Sequence, residues 1–290
     1  MTLLVSVLLA ASLITLIATS AIGLGAMLLG PIRAPVAAAG PAVVALTRPA
    51  HRLQAGLVAG TVVAFVLLVG AVVIRALLVG HAPWSNLHEF SVAFAAATVG
   101  AYLALARSHP IAGLAPIVAL LAAGLVALAL TLESRIDPLV PALQQPLLLT
   151  VHVGSAALAY AVAAVAFVAA AAEIAQRASG NSTGLLPEAA VARAVGHRAV
   201  LIGFPILTIA IVLGSVWANL AWRSYWSNDP KELAAAATWL VFGAYLHVAG
   251  RRDRWERLAP WLIVAGFVGV LFTYIGAGLF IVGEHSYGGG

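Results

Sequence analysis

Apolar residues in this chain are grouped in long blocks, not spaced at a two- or seven-residue rhythm. A helix needs about 20 consecutive apolar residues to cross the hydrocarbon core of a bilayer. Eight blocks approach or exceed that length, at about 3–30, 55–79, 89–106, 111–132, 148–176, 198–220, 232–249 and 258–283. Their Ala, Leu and Val runs are continuous, whereas a transmembrane barrel would show alternating segments of about ten residues. The pattern predicts an all-α, polytopic helical bundle with about eight transmembrane helices. The first block lacks a basic leader, and its apolar run exceeds the about 7–15 residues of a signal-peptide core, so it is expected to be a span. No fixed-period repeat and no long linker interrupts the blocks, which makes residues 1–290 a single membrane domain.

Composition agrees with this picture and removes alternatives. Hydrophobic residues make up 63% of the chain and charged residues 9%, against about 25% charged in soluble domains. A soluble enzyme is excluded. Cysteine is absent, so disulfides, zinc-thiolate sites, iron-sulfur clusters and cysteine nucleophiles are excluded too. Any metal chemistry falls to histidine or carboxylate. The net charge of +5 reflects loop arginines facing the cytoplasm and does not point to nucleic acid. Loops after spans 1, 3, 5 and 7 hold Arg33, Arg48, Arg52, Arg107, Arg177, Arg193, Arg198, Arg251, Arg252, Arg254 and Arg257. The alternate loops hold only Arg135, Arg223 and Lys231. That asymmetry places the first set in the cytoplasm and both termini on the extracytoplasmic side. Pro31–Ala50 reads as a tethered cytoplasmic loop, and Glu133–Gln145 as a segment lying along the outer membrane surface.

Polar residues are costly in such a chain, so the places where they gather are informative. Residues 216–232, between spans 6 and 7 on the outer side, hold Trp217, Trp222, Tyr225, Trp226, Asp229 and Lys231, the only lysine. Asp229, Pro230 and Glu232 make a helix start, with Asp as N-cap and Pro at the first helical position. The cluster fits an interfacial aromatic belt. It also fits a flat aromatic platform beside a helix N-terminus, suited to a large planar ligand bearing anionic groups. His152, near the outer end of span 5, and His285, after the outer end of span 8, fall in the same membrane layer. Two imidazoles from separate helices can ligate haem iron from opposite faces. His247 lies fifteen residues beyond Glu232, about 22 Å deeper along a helix. It is either a histidine at the cytoplasmic interface or the ligand of a second haem.

The outer loop at 80–90 contains His81, Trp84 and His88 and either lines the same pocket or caps a helix. Arg75, near the outer end of span 2, either snorkels to the headgroups or pairs with a propionate. His51, His109 and His197 lie beside arginines in cytoplasmic loops and are expected to be solvated.

Several of these stretches share one resemblance. Tyr225-Trp-Ser-Asn-Asp-Pro-Lys-Glu232, Thr238-Trp-Leu240 and Tyr245-Leu-His247 resemble the tryptophan-rich signature (WWD motif) of the CcsA/ResC haem-handling proteins of cytochrome c biogenesis, System II. Gly80–His88 is similar to that family's loop before its third span, and His152-Val153 and His285-Ser-Tyr287 to its two external histidine positions. Two positions depart from the pattern: Asn228 stands where a second tryptophan is usual and Arg223 where glycine is usual. His88 stands where tyrosine is common and receives no ligand role. The resemblance implies a subunit of a two-subunit cytochrome c synthase in a bacterial plasma membrane or thylakoid-type membrane, active on the extracytoplasmic face. Its partner would be a CcsB/ResB-type membrane subunit, its substrate apocytochrome c and its cofactor haem b. His152 and His285 would then ligate an external haem, with Trp217, Trp222, Tyr225, Trp226 and Asp229 around it. His247 would ligate an internal haem shared with the partner. No residue is expected to act as a general acid or base. The alternatives are a haem exporter without synthase activity, a di-haem quinone cytochrome, and a regulatory membrane protein of haem synthesis on the same scaffold.

Overall fold

A computed structural model describes residues 2–29, 42–136, 146–180, 184–251 and 254–277. Among them, eight α-helices are formed and no strand. They are α1 (Thr2–Leu29), α2 (Ala42–Val79), α3 (Leu87–Ala106), α4 (Ala115–Thr131), α5 (Pro146–Ala178), α6 (Ala189–Trp222), α7 (Pro230–Val248) and α8 (Arg254–Leu271). The last continues as a π-helical turn, Phe272–Gly276. The chain is a polytopic helical membrane protein: seven of the eight helices are long and apolar enough to cross a bilayer. The remaining one, α7, has 19 residues and carries Lys231, Glu232, Trp239, Tyr245 and His247, which lower its hydropathy.

Two expected loops are helical. Helix α2 starts at Ala42, within the segment read as a tethered loop, and α6 starts at Ala189, nine residues before the apolar block. Both extensions carry arginine, which has high helix propensity, so the backbone helix outlasts the apolar run. Residues 137–145, most of the expected surface segment, lie outside the described residues.

The described helices fall into two compact units. The first comprises Met1–Ser134 and Val168–Val195. In it α1 packs on α2 and α4, while α3 packs on α4 and α2. Its core interleaves Leu9, Leu16, Leu68, Val99 and Val126 with alanines of α2, α3 and α4. Hydrophobic burial adds little between helices in lipid, so small residues that allow close backbone approach provide the packing. Gly60 shows this: a Cβ there would overlap the Thr19 hydroxyl on α1. The hydroxyls inside α1 are satisfied by their own helix, Thr15 donating to Ala11 O and Thr19 to Thr15 O, both at 2.8 Å.

This unit also holds a buried ion pair. Arg75 Nε lies 2.8 Å from Glu89 Oε1, with side-chain exposures of 8% and 1%. Arg75 additionally donates to Ser134 O at 2.9 Å. Glu89 Oε2 accepts from the Ser85 amide at 3.0 Å and hydroxyl at 2.8 Å. Arg75 therefore neither snorkels nor awaits a propionate, because a carboxylate from the next helix neutralises it inside the fold. The loop before α3 does cap that helix: Asn86 Oδ1 accepts from the Glu89 amide at 2.9 Å. His88 is buried, with Nδ1 2.7 Å from Ala129 O of α4.

The second unit comprises Arg135–Phe167 and Gly196–Gly290, so α5 and α6 each contribute residues to both units. Here α7 packs on α8. Phe204 of α6 stacks on Trp239 of α7, with centroids 5.2 Å apart, and Phe167 of α5 stacks on Phe267 of α8 at 4.8 Å. The Trp239 indole N–H donates to the Thr208 hydroxyl at 2.8 Å, which pairs a half-buried donor that would be costly to leave unmatched in the bundle.

Candidate functional site: a histidine set against tryptophan at the α6–α7 connection

The expected tryptophan loop begins inside a helix. Trp217 and Trp222 stand on the last turns of α6, which ends at Trp222, and residues 223–229 form the connection to α7. Arg223 ends α6 in the left-handed region, at φ 62°, with its amide bonded to Asn219 O at 3.0 Å. This is the αL helix stop that favours glycine, and glycine is what the resemblance places there. A side chain in that region costs about 1–2 kcal/mol. Arg223→Gly is accordingly expected to raise stability by about 1 kcal/mol, net of the added chain entropy of glycine. A higher midpoint of thermal unfolding in detergent checks it.

The connection is held by polar bonds from both flanking helices. Ser215 Oγ donates to Tyr225 O at 2.8 Å. On the α7 side, Glu232 Oε2 accepts from the Ser227 amide at 2.8 Å and the Asp229 amide at 3.1 Å. Asp229 Oδ1 accepts from the Lys231 amide at 2.9 Å, and Asp229 and Glu232 form a capping box at the helix start that the sequence marks. Asn228 also has positive φ, 60°, which asparagine tolerates better than other side chains. Its Oδ1 accepts from the Trp226 indole N–H at 2.9 Å. The residue standing in for a second tryptophan thus orients the first one. Burial pushes the Lys231 ammonium below its usual range, and the neighbouring Asp229 carboxylate works against that shift.

The aromatic side chains do not form one flat shelf. Trp217 is buried, Trp222 is half-buried, and Tyr225 and Trp226 are exposed at 60% and 42%. Trp217 and Trp222 meet edge to face, with centroids 4.8 Å apart and planes at 75°, because five residues along a helix turns the second ring well away from the first. Trp217 packs against Leu148 and Val153 of α5.

His152 of α5 completes this cluster. Its ring lies nearly parallel to the Trp217 indole, 16° between planes and 6.0 Å between centroids. Its Nδ1 is 2.9 Å from Ala210 O of α6. A carbonyl can only accept, so the neutral ring carries its proton on Nδ1 and its lone pair on Nε2. A metal-binding histidine commonly has this arrangement, with one nitrogen donating to the protein so that the other is aimed and made more basic. His285 lies outside the described residues.

His247 stands apart on α7. It is exposed, in line with Leu233, Ala237, Leu240 and Ala244, and its Nε2 is 3.0 Å from Arg251 Nη2. His197, expected to be solvated, instead lies in α6 and places Nδ1 3.1 Å from the buried Tyr245 hydroxyl. The sequence signal for that pairing lay in helix length: the polar residues before 198 continue a helix instead of ending one. Among the described residues, no group of three or more His, Asp or Glu side chains is placed to hold a metal ion.

His152, held by a backbone carbonyl and stacked on the Trp217 indole, thus sits beside the α6–α7 connection of a polytopic helical membrane protein. Comparison with known proteins supplies the family. Residues 84–285, more than half of the chain, match the family described as Cytochrome C assembly protein, and the chain belongs to that family. Over 95 residues, 32% of this chain, it is 52% identical to the cytochrome c biogenesis protein CcsA of Microcystis aeruginosa, covering 29% of that protein. The CcsA of Trichormus variabilis is likewise 52% identical over 95 residues, 27% of its length. The matched region therefore spans less than a third of these relatives. Among solved structures, cytochrome c haem lyase CcmF shares the fold, with a TM-score of 0.63 over 93% of this chain and 46% of CcmF, at 20% identity.

Proposed function

We propose that this chain is the CcsA-type subunit of a membrane cytochrome c synthase, which holds haem b at the extracytoplasmic face and presents it to apocytochrome c. The observation that carries this is the orientation of His152, fixed by Ala210 O and Trp217 with its lone pair on Nε2. The donor set fits haem, since imidazole nitrogen is a usual axial ligand of haem iron and indole and phenol rings suit a porphyrin face. His152 and His285 would hold the haem of the external site through imidazole nitrogen. Trp222, Tyr225 and Trp226 would line the macrocycle, while Trp217 stands behind the His152 ring. Asp229 would act indirectly, by capping α7 and holding the aromatic connection in shape.

Bound haem would supply two vinyl groups, across each of which a cysteine thiol of a CxxCH segment adds, sulfur to one carbon and hydrogen to the other, without net oxidation. The protein's part is to fix the ligand, keep one edge open and bring the substrate cysteines alongside, which is catalysis by positioning. His247, exposed on α7, would ligate an internal haem together with a histidine from a CcsB/ResB-type partner, after giving up its Arg251 contact.

Reconstitution tests the proposal. The purified chain with its partner, haem and reduced apocytochrome is expected to yield cytochrome whose haem stays attached through acid-acetone extraction. Haem transfer without thioether formation would instead make the complex an exporter.

A further inference from the structure

We infer that Gly214 is a positioning residue for His152: the missing side chain at 214 opens the path by which the imidazole reaches the Ala210 carbonyl and so fixes the ring's tautomer and orientation. Ala210, Gly214 and Trp217 lie at i, i+4 and i+7 on α6, one face of the helix, and all three meet the same ring. Ala210 O accepts from Nδ1 at 2.9 Å, and Trp217 lies parallel to the imidazole. A Cβ built on Gly214 would fall 2.6 Å from His152 Cε1, 3.2 Å from Nδ1 and 3.3 Å from Nε2.

Helix geometry explains why glycine is needed at that position. In an α-helix the amide of 214 bonds the carbonyl of 210, and Cβ atoms tilt toward the N-terminus. The side chain at i+4 thus leans over the carbonyl at i and shields it from a second donor. Removing that side chain lets one oxygen accept both the helical amide and a ring N–H from α5. Glycine in a helix interior otherwise only weakens it, and here the cost is matched by a geometric gain.

The consequence for haem rests on the function proposed above, but the positioning itself can be read without haem. Three variants separate the cases: Gly214→Ala, His152→Ala and the double variant, with Gly124→Ala, whose Cβ meets nothing within 4 Å, as control. In haem-free protein, nitrogen-15 shifts of the His152 ring, assigned by their loss in His152→Ala, are expected to show protonated Nδ1 and unprotonated Nε2. In Gly214→Ala the two tautomers should mix. Haem affinity should fall about tenfold or more, the usual effect of losing a ligand's supporting bond, while Gly124→Ala changes neither.

Melting temperatures distinguish a specific clash from general helix effects. Gly214→Ala should lower the midpoint in the presence of His152 and raise it in the His152→Ala background, where helix propensity alone acts. The inference is overturned if Nε2 carries the proton in the unmodified protein, or if Gly214→Ala leaves the tautomer unchanged. An equal shift of the midpoint in both backgrounds also overturns it. Haem bound by His152→Ala with an unaltered spectrum would remove the ligand role of His152, and the nitrogen shifts would still decide the role of Gly214.

Discussion

His152→Ala is expected to abolish the low-spin, bis-histidine visible spectrum of haem bound at the external site and to cut the yield of covalent cytochrome at least tenfold. The magnitude has a lower bound: losing only the outer partner of a metal ligand costs about 10–100-fold, and here the ligand itself is lost. The substitution leaves the Trp217 ring without the neighbour that lies parallel to it and Ala210 O with its helical amide alone. The fold therefore persists while the ligand nitrogen is gone. Visible spectra of the purified complex before and after substitution provide the measurement. Unchanged low-spin bands would exclude His152 as an axial ligand.

The second large effect concerns stability. Glu89→Leu is expected to destabilise the protein by about 3–5 kcal/mol, because it leaves the Arg75 guanidinium buried without its counter-charge. With side-chain exposures of 8% and 1%, neither partner can turn to water. The loss also strips the Ser85 amide and hydroxyl of their acceptor. Arg75→Met should cost a similar amount. The double variant Arg75→Met, Glu89→Leu should recover much of the loss, since replacing a whole buried pair by apolar groups is often near neutral. Thermal unfolding of the four proteins in one detergent gives the comparison. Additive single losses would show that the two side chains act separately.

The spans were legible because bilayer thickness imposes a length on apolar runs, and that length survives any detail of packing. The start of α7 was legible for a related reason: Asp229, Pro230 and Glu232 satisfy a helix N-terminus through residues adjacent in sequence. What the sequence did not display were pairings between distant residues. Nothing along the chain marks Ala210 O, 58 residues from His152, as its hydrogen-bond acceptor, and Gly214 reads as one glycine among 27. The sequence places Trp217 and Trp222 in a loop between apolar blocks, whereas both belong to α6 and helical rotation sets them edge to face. Arg75 and Glu89 were closer to readable. They end and begin consecutive helices joined by a short loop, which puts opposite charges at one depth. The extension of α6 past its apolar block hid the His197–Tyr245 contact.

Residues 223–229 are fastened to α6 through Ser215 and to α7 through Glu232 and Asp229, and under the proposed function this would set how the surface meets the apocytochrome segment. A segment braced at both ends resists swinging open like a flap, and with the Trp226 ring tied to Asn228 the available adjustment lies in the torsions of the exposed Tyr225 side chain. The apocytochrome segment would then bear most of the ordering entropy of the encounter, the receiving face being already in shape.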